Sequence, residues 1–309
     1  PPIQRRLEGL SAHSHKILAF SGKVPTAIDD YSKILDQFLE SNPEVNLNDL
    51  EYSSLFRREH FKHRAYVTFT DRDDLLKKIK STEHIKKGLK EKDNRRLVFM
   101  FPGQGNQFVN MGLGLYRKYP VFRKAIDECS DFLEDELNLD IRTIIYPSSD
   151  NTDGQIDKTY ITQPAIFMIS YAQALLLKSW GLNPDCYMGH SVGEYVAATL
   201  AGVFSLKDAL KAVSRRASLI QKLPGGAMTA VLLSEEDILP LLGKNTSIGA
   251  INTMGLTVVS GPYDEIEKLE NDLSNKRIFN KRVPTSHAFH SAMMDPILNE
   301  MEIFQDILL

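Results

Sequence analysis

The sequence predicts an α/β protein in two parts: a small N-terminal α/β unit, then a larger core of parallel strands that carries a second small unit as an insertion. Three observations predict it. After Arg96, short apolar runs alternate with helical periodicity. Residues 227–280 run strand, helix, strand, strand, helix, strand. The charge balance also changes at Arg96: residues 1–96 carry 19 basic and 15 acidic side chains, whereas residues 97–309 carry 18 and 25.

Composition bounds the function before any motif is weighed. A chain of 309 residues has room for about two domains, and 42% hydrophobic with 25% charged residues excludes collagen-like and wholly disordered classes. A net charge of −3 gives no case for a nucleic-acid partner. Cys129 and Cys186 lack CxxC or Cys/His spacing, which predicts reduced thiols in a cytoplasmic protein, no disulfide framework and no metal site. The longest apolar stretch, residues 165–177, is interrupted by Ser170 and Gln173 and is shorter than the roughly 20 residues a membrane span needs, so a buried helix and no membrane partner are expected. The opening PPIQRRLEGL lacks both Met and a signal peptide's apolar run, which predicts a segment of a longer chain.

In chain order, KILAF (16–20) is an apolar run closed by Ser21 and Gly22. Pro25 then opens a helical pattern that places Ile28, Tyr31, Ile34, Leu35, Phe38 and Leu39 on one stripe. SNPEVNLND reads as a turn and residues 50–58 as a second helix. The alternating, β-branched HRAYVTFT (63–70) predicts a strand, and residues 71–80 a capped helix. Residues 81–96, rich in Lys and Glu, predict a solvated face or a connection, with a domain boundary near Arg96 and a sheet of two or three strands before it.

LVFMFP (97–102) is a continuous apolar run, the pattern of a strand covered on both faces. Helices are predicted over 115–137 and 164–180, a buried strand over 186–189, and helices over 192–201 and 206–221. The βαββαβ order that follows is that of a ferredoxin-like unit, expected as an insertion over about 226–282. The chain then returns through VPTSHAFHSAMMDP and ends in an amphipathic helix.

GHSVG (189–193) follows an apolar strand and precedes a helix, the context of a nucleophile elbow in an α/β-hydrolase-like core. The sharp turn exposes the Ser191 hydroxyl, and flanking glycines let the backbone pass. A serine needs a base. Five histidines, His13, His15, His60, His63 and His84, lie in the first unit, and His190 is a sequence neighbour expected to hydrogen-bond beneath the turn. His290 is free to reach Ser191 from a distant loop, and residue types alone leave His287 beside it as a second candidate. FPGQGNQ (101–107) lacks the GK[ST] of a phosphate loop; its glycine turn is better used to bring the Gln104 N–H beside that of Val192 as an oxyanion hole. Arg215 and Arg216 form a pair of the kind that is usually solvated, but a guanidinium turned inward binds a carboxylate through two parallel hydrogen bonds and selects a dicarboxylic acyl group.

FPGQGNQ, TQPAIF, GHSVGEYVAA, SRRASLIQ and SHAFHSAMMDP occur here in the order found in malonyl-CoA:acyl-carrier-protein acyltransferase domains of type I polyketide synthases, which residues 97–309 resemble. Residues 1–96, including LNDLEYSSLFRREHFKHRAYVTFTDRDDLLKKI, resemble the linker subdomain that joins such a domain to a ketosynthase. The resemblance implies that Ser191 takes malonyl from a coenzyme A thioester and passes it to the phosphopantetheine thiol of an acyl carrier protein, with no bound cofactor. It implies His290 as the catalytic histidine, Gln104 and Val192 as oxyanion-hole residues, Arg216 as the carboxylate anchor and Gln163 as a pocket residue; His287 is a further substrate-binding candidate that either shapes the pocket or packs. Phe289 stands where methylmalonyl-type members resemble YASH and carry serine, and Val192 follows the malonyl-type pattern, so malonyl is the expected unit. Members of the family continue well past SHAFH, so the group that orients His290 is expected outside this sequence.

Two other classes are weighed beside this one. A serine hydrolase, an esterase or thioesterase, uses the same elbow but has no need of a buried cation at Arg216. A docking module would use the basic first unit to steer an acidic carrier protein.

Overall fold

The computed structural model describes residues 15–91, 96–148 and 154–302. His13, the opening segment and the end of the expected last helix lie outside them. The chain divides into two compact units at Arg95/Arg96.

The first unit is built on an antiparallel sheet of β1 (Lys16–Gly22), β2 (His63–Phe69) and β3 (Lys86–Leu89), in that order. Strict alternation along β2 sends Ala65, Val67 and Phe69 inward, where α1 (Thr26–Ser41) and α3 (Arg72–Lys80) meet them with Ile28, Leu35, Leu39, Leu75 and Ile79. Asp71 caps α3 by accepting from the Asp74 N–H. A further helix, α2 (Leu47–Phe56), lies along β1, and its Glu51 and Ser54 side chains accept the Ile17 and Ala19 N–H groups at 2.8 and 3.2 Å, satisfying donors on a sheet edge.

Three expectations for this unit are corrected. The helix α2 starts at Leu47 because the Asn46 side chain accepts from the Asn48 N–H, a cap inside what read as a turn. The Lys-rich stretch contains β3, whose four residues are all exposed and therefore show no alternation in sequence. Ile34 and Phe38 do not join the core; with Leu50 they line an open groove of about 510 Å³ between α1 and α2.

The second unit opens with β4 (Val98–Phe101), which pairs in parallel with β5 (Cys186–Gly189). Between them come α4 (Leu113–Lys118), α5 (Pro120–Leu137), α6 (Arg142–Ile145) and α7 (Thr159–Ser179). After β5 come α8 (Gly193–Leu200) and α9 (Leu206–Gln221). The core gathers Phe99, Phe101, Phe122, Ile126, Phe167 and Val213 among others. The described residues cover the apolar run of β4 on one face only: Met100 is 72% exposed and Met188 54%, with Val98 beside them. Composition does not distinguish a strand buried on both faces from one buried on a single face when the outward residues are also apolar.

The expected helix over 115–137 is two helices, because Tyr119 is extended and Pro120 restarts the chain as the first residue of α5. The next helix begins at Thr159, ahead of Pro164, with Thr162 Oγ1 donating to the carbonyls of Ile156 and Lys158. At 21 residues α7 is long and apolar enough to cross a membrane, yet most of it is buried in the protein against α5 and α9.

The inserted part comprises β6 (Ala227–Val231), α10 (Glu235–Ile238), β7 (Ser247–Thr253), β8 (Leu256–Gly261), α11 (Tyr263–Asn275) and β9 (Asn280–Val283). Its sheet runs β7-β8-β6-β9 with every pair antiparallel. The helix expected from SEEDILPLL is one turn of α followed by a tight 3₁₀ turn over Leu239–Leu241. The last strand is NKRV rather than RIFN, since the N–H groups of Arg277 and Ile278 turn back onto Ser274 and Leu273 to end α11.

Candidate active site

The elbow is fixed by what its glycines exclude. A Cβ on Gly189 would stand 2.2 Å from the Gly193 carbonyl carbon and the Glu194 N, and one on Gly193 would stand 2.4 Å from the Phe101 oxygen. The bend between β5 and α8 therefore closes only with glycine at both places, and Ser191 at its apex is held at φ 52°, in the left-handed region. The turn of FPGQGNQ packs directly on it: a Cβ on Gly103 would meet His190 Nδ1 at 2.9 Å and Ser191 Cβ at 3.3 Å. Neither the Gln104 nor the Val192 main-chain N–H finds an acceptor among the described residues.

His290 comes from the loop after β9. That loop is seated on the small sheet and on α7: the Gly226 N–H and the Tyr263 hydroxyl both donate to the Ser286 carbonyl, and Ala288 packs against Gly226. Its end is tied by Ser291 Oγ donating to the Ala288 carbonyl. With the loop so placed, His290 at φ 57° puts Nε2 at 2.9 Å from Ser191 Oγ. The residue reaches solvent, yet crowding about the ring, then the Arg216 cation and then His190, hold its pKa below the ordinary 6.5 and favour the neutral imidazole.

His287 has a different place. It is buried, with Nδ1 at 2.8 Å from Ser286 Oγ and 3.5 Å from Thr159 Oγ1. Burial lowers its pKa and favours the neutral ring, which ties the loop to α7 through Thr159. Of the two histidines left open by residue type, the structure brings His290 to Ser191. His190, expected beneath the turn, is exposed instead, because its backbone N–H follows β4 by bonding the Phe101 carbonyl while its ring lies on the outer side, against Gly103.

The arginine pair is split by the helix. Arg215 is exposed and meets Glu300 at 2.7 Å. Arg216 turns inward, and burial lowers its pKa while the nearby Tyr195 opposes the shift. No carboxylate among the described residues pairs with it. Its Nη1 instead donates to Gln163 Oε1, and Gln163 Nε2 donates to Gln104 Oε1 at 3.3 Å. This chain of three side chains joins α9, α7 and the FPGQGNQ turn across sequence separations of 53 and 59 residues, and no local pattern could have announced it. Phe289 is buried with Leu219, Ile220, Met228 and Val258, its ring 6.1 Å from that of His287. Among the described residues, no three His, Cys, Asp or Glu side chains are grouped to hold a metal.

A serine at the apex of a strand–turn–helix bend, an imidazole within hydrogen-bond reach and two N–H groups beside them make up the equipment of enzymes that carry an acyl group on serine. The chain belongs to the acyl transferase domain family, whose model matches residues 98–304, and residues 16–79 match a second family, the CurL-like, PKS C-terminal region. It is 35% identical over 313 aligned residues to one component of the phenolphthiocerol/phthiocerol polyketide synthase of Mycobacterium tuberculosis, an alignment that takes in 96% of this chain and 21% of that protein. It is also 35% identical to polyketide synthase GfsA of Streptomyces halstedii, over 91% of this chain and 4% of that protein. The chain thus spans about a fifth or less of the length of these relatives.

Among solved structures, the acyl transferase domain of ZmaA matches with a TM-score of 0.85 at 33% identity, covering 96% of this chain and 71% of that one. The acyl transferase domain of SpnD, in complex with 2-(pent-4-yn-1-yl)malonyl, matches at 0.85 and 30%, covering 96% and 70%. These likenesses establish the mixed α/β fold of a polyketide synthase acyltransferase domain.

Proposed function

We propose that the chain moves a malonyl group from malonyl-CoA, through an ester on Ser191, to the phosphopantetheine thiol of an acyl carrier protein, as one part of a cytoplasmic polyketide synthase. The observation that carries this reading is Arg216: a half-buried guanidinium turned inward onto the neutral Gln163 carbonyl and unpaired by any described carboxylate. Such a cation is costly to bury and is best compensated by the free acid of the incoming acyl group.

In the first half-reaction the neutral His290 Nε2 takes the Ser191 proton as Oγ attacks the thioester carbonyl. The N–H groups of Gln104 and Val192 receive the oxyanion. The C–S bond then breaks, and the coenzyme A thiolate leaves with the proton from His290. The second half-reaction reverses these roles with the carrier thiol as nucleophile. Phe289 restricts space beside the acyl alpha carbon and so favours malonyl over methylmalonyl.

The sheet order β9-β6-β8-β7 supports a ferredoxin-like insertion, and the parallel β4/β5 pair leading into the elbow supports an α/β-hydrolase-like core. Residues 1–96 act as the linker subdomain to an adjoining ketosynthase, and residues 97–309 as the acyltransferase. Intact mass spectrometry after mixing with malonyl-, methylmalonyl- or acetyl-CoA, with Ser191→Ala as control, tests nucleophile and acyl preference together. Malonyl labelling that is absent, or that persists in Ser191→Ala, refutes the reading.

A further inference from the structure

Gln163 is 2% exposed, and both ends of its amide are committed. Its NH₂ faces Gln104 Oε1 and its carbonyl faces Arg216, so its orientation is dictated from both sides. A neutral carbonyl satisfies one guanidinium N–H and leaves the charge uncompensated. The same amide also touches the residue whose main-chain N–H serves the oxyanion.

We infer that Gln163 is a specificity-determining residue: it holds Arg216 ready through a neutral placeholder, and its lack of charge is what leaves the guanidinium available to a carboxylated acyl group. This rests on the malonyl-transfer reading above. A carboxylate at 163 would be isosteric, would pair with Arg216 inside the protein and would take the place of the substrate's free acid. Gln104 can serve such a side chain by rotating its own amide to donate, so the change need not disturb the FPGQGNQ turn.

The test compares Gln163→Glu with the unaltered 309-residue chain, measuring rates of Ser191 acylation by malonyl-CoA and by acetyl-CoA in parallel by intact mass. The preference for malonyl over acetyl is expected to fall roughly 30-fold or more in Gln163→Glu, with acetyl labelling showing that the serine is still competent. An unchanged preference overturns the inference while leaving the malonyl reading intact. Failure of the unaltered chain to take malonyl overturns both. Gln163→Leu, which removes both hydrogen bonds without adding charge, guards against misfolding as the cause: it is expected to raise KM for malonyl-CoA more than it lowers kcat, and to keep malonyl preferred. A Leu variant that loses the preference as fully as Glu also overturns the inference.

Discussion

His290 Nε2 stands 2.9 Å from Ser191 Oγ although 99 residues separate the two in sequence, and both residues occupy the left-handed region, at φ 57° and 52°. A side chain is held in that region only where its surroundings compel it, at a cost of about 1–3 kcal/mol. Replacing His290 by Ala is expected to slow acylation roughly ten-thousandfold. Ser191→Gly abolishes the ester and raises stability by about 1 kcal/mol, since glycine accepts the same φ without strain. Mass labelling and denaturant midpoints measure the two effects separately.

The acid limb of acylation is expected below pH 6.5, because His290 must be neutral to accept the serine proton and its pKa is depressed. Arg216 is one cause of that depression. Removing the cation in Arg216→Ala makes the imidazolium easier to form, so the limb moves to higher pH. The profile is to be read with p-nitrophenyl acetate, a neutral ester whose binding needs no guanidinium; a limb that stays in place removes the electrostatic link between the two residues.

Glycine substitutions are expected to part into two groups. Gly189→Ala drives a Cβ into the Gly193–Glu194 backbone and costs roughly 3 kcal/mol or more, with loss of acylation. Gly114, inside α4 with open space about it, gains up to about 1 kcal/mol from the same change. Urea midpoints of the two variants test the contrast.

Phe289→Ser is expected to narrow the malonyl-over-methylmalonyl preference by about 10- to 200-fold, the scale of one methyl's discrimination. The variant is also less stable, because the ring is buried among Leu219, Ile220 and Met228. Competition between the two thioesters at equal concentration, scored by the mass of the acyl-enzyme, reads the first effect independently of the second.

Met100→Thr is expected to change stability by less than about 0.5 kcal/mol and to reduce light scattering at high protein concentration, because the side chain packs against little and adds to an exposed apolar sheet face.

Features carried by a few adjacent residues were legible in the sequence. Ser191 and Val192 sit in a turn whose glycines, flanking strand and following helix are all local. The run from Leu206 to Gln221 showed its full helical period and is the helix found. Features that depend on distant partners were hidden from local pattern, and His290 and Arg216 were singled out only by the family resemblance. The contact of Gln163 with Arg216 spans 53 residues, and the inward turn of Arg216 away from Arg215 follows from the packing of α9 rather than from the pair itself. β3 escaped notice because no face of it is buried, and the uncovered side of β4 because methionine and valine are apolar wherever they lie.

The hydroxyl is carried by the core, whereas the imidazole is carried by a loop seated on Gly226, Tyr263 and Thr159. An inhibitor therefore has two points of attack. A compound that wedges the Ser286 carbonyl off its two donors would pull the base out of range of the hydroxyl without itself occupying the space beside Ser191 Oγ.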